Sequence, residues 1–116
     1  GNNLDACRQP VRERLALYIG GMGAPDKNFY NDYAQSIGYE AAAAEVQRLY
    51  LSGKYREAAI AVPDALVDDL ALVGPRDRIS AQLDRWREAA AKRHISAMAV
   101  TAPTIDDVHM LAELIL

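Results

Sequence analysis

The sequence predicts a mainly α-helical chain with one β-strand, ending in a helix–strand–helix unit. Three observations lead there. Apolar residues recur at helical spacing from Val11 to Leu70, in short blocks separated by glycine and proline turns. Gly74 and Pro75 open a longer helix that runs to about Ala91. The run Ile95-Ser96-Ala97-Met98-Ala99-Val100-Thr101 is apolar or small throughout and reads as a strand buried on both faces, as in a parallel sheet. A strand needs neighbours to pair its backbone N–H and C=O groups. A single strand among helices is therefore expected to be the tail of a larger unit, its partners lying outside these residues.

Each element has a local cause. Gly1, Asn2 and Asn3 read as loop, with Asp5 as a helix cap and Pro10 in or near the first turn. Val11, Leu15, Tyr18, Ile19 and Met22 then form one face, with Arg12, Glu13 and Arg14 opposite. The helix is expected to stop at Gly20-Gly21-Met22-Gly23, and Ala24 to Lys27 form a turn. A short helix over 28–37 carries Phe29, Tyr30 and Tyr33 and ends at Gly38. Residues 39–51 form a stronger helix through their alanine run, with Ala42, Val46, Leu49 and Tyr50 on one face. Ser52 and Gly53 close it, and a short helix follows over 54–61. Pro63 and Asp64 suit the first turn of the next helix, in which Leu66, Val67 and Leu70 face inward and Asp68 and Asp69 face solvent.

In the last third, Gly74 is the expected N-cap and Pro75 the first helical residue, with Asp77 favourable at the positive helix end. Ile79, Leu83, Trp86 and Ala90 make the apolar stripe, and Lys92-Arg93-His94 a basic helix end. After the strand, Ala102-Pro103-Thr104 turn the chain. Asp106 and Asp107 lead an amphipathic helix with Val108, Leu111, Ala112 and Ile115. Residues 1–73 thus form a helical region and 74–116 a helix–strand–helix region, within a single segment.

Composition narrows the function classes. The 116 residues are 51% hydrophobic and 25% charged with a net charge of -3, which fits one folded domain and argues against disorder. Lys and Arg are scattered beside acids, so no nucleic-acid partner is expected. No run approaches the ~20 apolar residues of a membrane span. Asp5 and Arg8 interrupt any apolar leader, so neither membrane nor secretion is expected and the location is read as cytoplasmic. Cys7 is the only cysteine, which excludes an internal disulfide and a cysteine-rich metal site.

Few residues suggest chemistry. Gly20-Gly21-Met22-Gly23 lacks the Gly-Lys-Ser/Thr triplet of a phosphate loop and reads as a helix stop. The turn after it has two readings. In one, Phe29, Tyr30 and Tyr33 are core aromatics and Lys27 is solvated. In the other, Gly21, Gly23, Lys27, Asn28 and Tyr30 bind a cofactor or substrate. Lys27 would hold an anion, Asn28 and Tyr30 would hydrogen-bond, and Phe29 would pack on a flat ring. His94 and His109 are far apart and lack a metal-ligand spacing, so no metal is expected. The pairs Asp68-Asp69 and Asp106-Asp107 are adjacent residues that diverge on a helix. No catalytic residue is identified.

Four segments resemble a known family. They are Leu15-Ala16-Leu17-Tyr18-Ile19-Gly20-Gly21-Met22-Gly23, Lys27-Asn28-Phe29-Tyr30-Asn31, Ala61-Val62-Pro63-Asp64 and Leu72-Val73-Gly74-Pro75-Arg76-Asp77-Arg78-Ile79. Together, across residues 5–116, they look like the C-terminal part of the luciferase-like monooxygenases, nearest the deazaflavin-dependent (coenzyme F420) oxidoreductases of actinobacterial type. The resemblance implies a fragment of a (β/α)8 TIM barrel: the helices after the seventh strand, then the last strand at 95–101 and the last helix at 105–116. It implies a parent that transfers hydride between coenzyme F420, or alternatively FMN, and a small organic substrate. Seven strands of such a barrel are absent from these residues. The chain alone is therefore expected to bind no cofactor and to be inactive, its partner being the missing barrel part or another copy in a homo-oligomer. The alternative is a non-catalytic helical interaction or oligomerisation module.

Overall fold

The computed structural model describes residues 1–116 as seven α-helices and no strand: α1 (Leu4–Ala16), α2 (Phe29–Ser36), α3 (Glu40–Leu51), α4 (Tyr55–Ile60), α5 (Asp64–Leu70), α6 (Arg76–Ala91) and α7 (Ile105–Ile115). A π-helical turn, Leu17–Gly21, extends α1. The shape is a slab of 44 × 32 × 20 Å, with α1, α3, α4 and α5 packed around the core.

Capping sets the helix limits. Asn3, rather than Asp5, caps α1, its side chain accepting from the Ala6 N–H at 3.1 Å. Pro10 lies inside α1, where it deprives the Ala6 carbonyl of a helical donor. Helices α2 and α3 end in matching Schellman motifs. Gly38 and Gly53 have φ of 98° and 80°, and the N–H groups of Tyr39 and Lys54 reach back to the carbonyls of Ala34 and Leu49. Helix α6 begins one residue later than its sequence suggests, with Pro75 at the N-cap.

The core is built from small side chains. Five of its twelve clustered residues are alanine, namely Ala16, Ala34, Ala43, Ala58 and Ala59, so neighbouring helices can lie close together. Leu66 and Val67 fill the space beneath them. Leu70, expected inside, is exposed, as is Ala90, and Trp86 is half-buried.

An ion network ties α1 to α5 and α6. Arg8 grips Asp68 with two N–H groups at 3.1 and 2.6 Å and reaches Asp64 at 3.2 Å. Arg12 bonds Asp64 and Asp5, and Arg78 bonds Asp68 at 2.8 Å. Asp68 is therefore a paired, half-buried acid and not the solvated one the sequence suggested. The bond from Arg8 holds its carboxyl below the usual range, with Arg78 adding to this against partial burial. Arg12 lowers Asp64 in the same way.

The expected strand does not form. Residues 95–101 are irregular and make no backbone–backbone hydrogen bond through their N–H groups. Most are exposed, because no second strand is present to complete a ladder. Before this run, α6 ends in a third Schellman motif: Arg93 and His94 donate to the carbonyls of Ala90 and Ala89. Here Arg93 occupies the glycine position, at φ 57°. After it, Thr104 and Asp107 form a capping box that starts α7. Yet α7 buries none of its residues. Its contacts with α6 include the Arg76–Glu113 ion pair at 2.8 Å and a bond from Arg87 to the Leu114 carbonyl at 2.6 Å.

Candidate functional site

The glycine-rich turn and the aromatic residues after it form one built feature. It begins at the π-turn. The side chain of Tyr50 on α3 lies against this backbone so closely that a Cβ would meet its Cβ at 2.5 Å from Gly20 and its ring at 2.5 Å from Gly21. These glycines serve a close approach and have no positive φ. A Cβ on Gly23 would lie 2.3 Å from the Lys27 carbonyl, across the narrow turn in which Lys27 N–H bonds Ala24 at 3.0 Å.

Two buried asparagines hold the turn in place. The Asn28 amide donates to the carbonyls of Tyr18 and Ile19 at 3.1 and 3.0 Å, and its oxygen accepts from the Asn31 N–H at 3.0 Å. Asn31 donates to Ile19 and to Ala43 on α3, at 3.1 and 3.0 Å, and accepts from Gln35 at 2.7 Å. The π-turn interrupts the regular helix ladder, and these amides satisfy carbonyls at the break. Asn28 is only 2% exposed, and these three bonds use its side chain. Asn31 was not recognised from the sequence. Its signal was its position three residues after a capping asparagine.

This locked turn presents an aromatic surface. Tyr18 and Tyr30 stack with centroids 4.8 Å apart, and Phe29 meets Tyr30 edge-on at 5.6 Å. With Leu15, Tyr33 and Leu70 they border a groove of about 330 Å³ whose lining is wholly hydrophobic. The core reading of the aromatics is overturned: Phe29, Tyr30 and Tyr33 are all exposed, Phe29 at 76%. Asn28, whose side chain is polar, took the interior instead.

Of the five residues singled out as a binding set, Gly21, Gly23 and Asn28 hold the turn. Tyr30 lines the groove and Lys27 projects into solvent beside it. A flat ring fits the apolar lining. The phosphate-bearing side chain of a flavin-type coenzyme finds no cradle here, since Lys27 is the one cation in the turn between Met22 and Asn28. The residues present match at most one wall of a coenzyme site. A second cavity, of about 430 Å³ between α1 and the start of α5, is lined by Asp5, Arg12 and Asp64, which are paired with one another. No group of three His, Cys, Asp or Glu side chains is placed to hold a metal ion. No helix is long and apolar enough to cross a membrane.

Comparison with known proteins gives the family. The chain is 40% identical over 105 residues to a Mycobacterium tuberculosis protein whose name assigns it, by inference, to the coenzyme F420-dependent oxidoreductases. The alignment covers 90% of this chain but only 29% of the relative's length. No solved structure matches. The model of the luciferase-like monooxygenases matches residues 2–93, which include the locked turn, the groove and the whole of α6. The chain belongs to the luciferase-like monooxygenase family.

Proposed function

We propose that this chain is a helical part of a deazaflavin-dependent oxidoreductase domain, and that the coenzyme pocket is completed by residues outside it. The observation that carries this is the unpaired apolar run at 95–101 in a chain of this family. Apolar residues in an irregular run without backbone partners for their N–H groups are poorly served by water and well served by a sheet edge. In this reading 1–73 form the helical region of a (β/α)8 barrel and 74–116 its final helix–strand–helix, with 95–101 becoming a strand when the rest of the sheet is supplied. Active sites of such barrels lie at the C-terminal ends of the strands. In this reading Thr101-Ala102-Pro103 and the turn from Met22 to Asn31 are the segments that reach that face.

Hydride transfer to or from a small organic substrate would be supplied by coenzyme F420, or by FMN as the alternative. This chain's own share is positional. Lys27 and Tyr30 carry the groups left free to touch coenzyme or substrate, while Gly21, Gly23 and Asn28 keep the turn in shape. The chain on its own is inactive in this reading.

Calorimetric titration tests it. Coenzyme F420 added to the 116-residue chain is expected to give no saturable binding. A chimera, in which this chain replaces the matching stretch of the Mycobacterium tuberculosis relative, is expected to bind it. Micromolar binding by the chain alone would place the pocket within these residues. A folded chimera that fails to bind would sink the oxidoreductase assignment. The exposed aromatic groove favours a second reading, a non-catalytic helical interaction or oligomerisation module.

A further inference from the structure

The connection between α5 and α6 shows how α6 is aimed. Residues 71–75 lie between the two helices, and Ala71 is extended, at φ -140° and ψ 152°. An extended backbone needs a neighbour for its N–H and C=O groups, and no strand is present to supply one. A side chain takes that place. The Gln82 carboxamide accepts from the Val73 N–H at 3.1 Å and donates to the Ala71 carbonyl at 3.4 Å. A residue on a parallel strand makes the same two bonds, to the residues on either side of its opposite number. Val73 is buried, and Gln82 is the partner of its N–H.

Two arginines on the same face of α6 close the grip. Arg78, Gln82 and Arg85 share one stripe of the helix at i, i+4 and i+7 spacing. Arg78 donates to the Val73 carbonyl at 3.1 Å and to the Asp68 carboxylate at 2.8 Å. Arg85 donates to the carbonyls of Asp69 and Asp68 at 2.9 and 3.3 Å. Gly74, at φ 116°, lies under the stem of Arg78, where a Cβ would come 2.6 Å from the Arg78 Cδ. The carbonyls of Asp68, Asp69, Ala71 and Val73 are thus all held from α6.

Apolar packing is less able to set this orientation. The two buried side chains of α6, Ile79 and Leu83, lie outside the core cluster shared by the other helices. Burial is also non-directional, whereas a hydrogen bond weakens steeply once its angle is lost. We infer that Arg78, Gln82 and Arg85 form a clamp that fixes the angle at which α6 leaves the helical body, and so the direction in which the chain enters residues 95–101. Gly74 is the pivot that the clamp immobilises. The Leu72–Ile79 segment, one of the four that resemble the family, owes its shape to this clamp. The clamp lies wholly within these residues and stands apart from the oxidoreductase reading.

Two measurements on the 116-residue chain test it. Double electron–electron resonance between nitroxides at Ala44→Cys on α3 and Ala90→Cys on α6, both exposed positions, reads the angle in a Cys7→Ala background. Hydrogen exchange of the Val73 amide reads the clamp itself. The parent chain is expected to give one narrow distance peak and a protected Val73 amide. Gln82→Met keeps the length of the side chain without its bonds. It is expected to lose the single peak and to speed Val73 exchange about tenfold, the scale of one buried hydrogen bond. Arg78→Met is expected to lose the peak as well. Arg76→Ala cuts the contact with Glu113 on another face of α6 and is expected to leave both readouts unchanged. A narrow peak retained in both methionine variants overturns the inference and assigns the angle to Ile79 and Leu83. So does a parent chain with several distances, or a Val73 amide that exchanges freely in it. None of these results bears on coenzyme binding by the chimera.

Discussion

Residues 4–91 and residues 92–116 obey the same local rules and end differently. Side chains cap α1 and α2 in the first and α7 in the second, and α7 has the fullest cap of any, a complete capping box. Helices α2 and α6 close with the same hydrogen-bond motif. Yet α1 and α3–α5 share a buried core, while α7 buries no residue and the run before it pairs with nothing. The comparison separates two things that secondary structure depends on. Helices satisfy their backbone internally, so α7 forms without a neighbour. A strand satisfies its backbone only through another strand, so the apolar run at 95–101 stays irregular.

Mutations test how sharply the two regions differ. The largest effect is expected from Leu66→Ala beneath the alanine core, a loss of about 3 kcal/mol from a fully buried leucine, read by urea unfolding. If it costs no more than a surface change, residues 4–91 do not form a stably packed unit. Asn31→Ala is next, at about 2 kcal/mol, because the carbonyls of Ile19 and Ala43 lose a buried donor. The same unfolding curves measure it, and the Tyr18–Tyr30 stack is expected to loosen with it.

Acid should then weaken the body. The folded-state pKa values of Asp64 and Asp68 are lowered by their arginine partners. Their contribution is present above the ordinary carboxylate value, near pH 4, and is lost as pH falls through the lower folded values. Unfolding at pH 6 and pH 3 is expected to show a drop that Asp68→Asn reduces. An unchanged drop would show that other carboxylates carry it.

Smaller effects belong to the arm. Arg93→Gly is expected to stabilise the chain by about 1 kcal/mol, since arginine at φ 57° is in the left-handed region where glycine is at ease. A loss of stability there would mean the arginine side chain makes contacts that outweigh the backbone. Val108→Asp, on a helix that buries nothing, should change stability by less than about 0.5 kcal/mol.

Much of the body was legible because its helix stops are local. Gly38, Gly53 and Pro63 mark the ends and starts of α2 to α5 to within a residue or so, and each acts through its own backbone. What escaped involved a distant partner or a choice among equals. Asn3 and Asp5 are both good caps two residues apart. The glycines at 20 and 21 read as a helix stop, but their reason is Tyr50, about thirty residues on, which no local pattern contains. Burial was misjudged at Phe29, Tyr33 and Leu70, because hydrophobicity says which residues prefer an interior and not whether one is supplied. The turn named for binding is a built feature, three of its five named residues form its framework, and Asn31, which completes that framework, was overlooked.

The alanine-rich core has a thermal consequence. Burying methyl groups removes less apolar surface from water than burying leucines would. The heat-capacity increment of unfolding scales with that surface. For this chain it should therefore fall below the usual ~1.2–1.5 kcal/mol/K per 100 residues, and the enthalpy at the midpoint should be low with it. Melting should be gradual, with a stability curve that is shallow in both directions, so that cooling costs little and warming loosens the helices over many degrees.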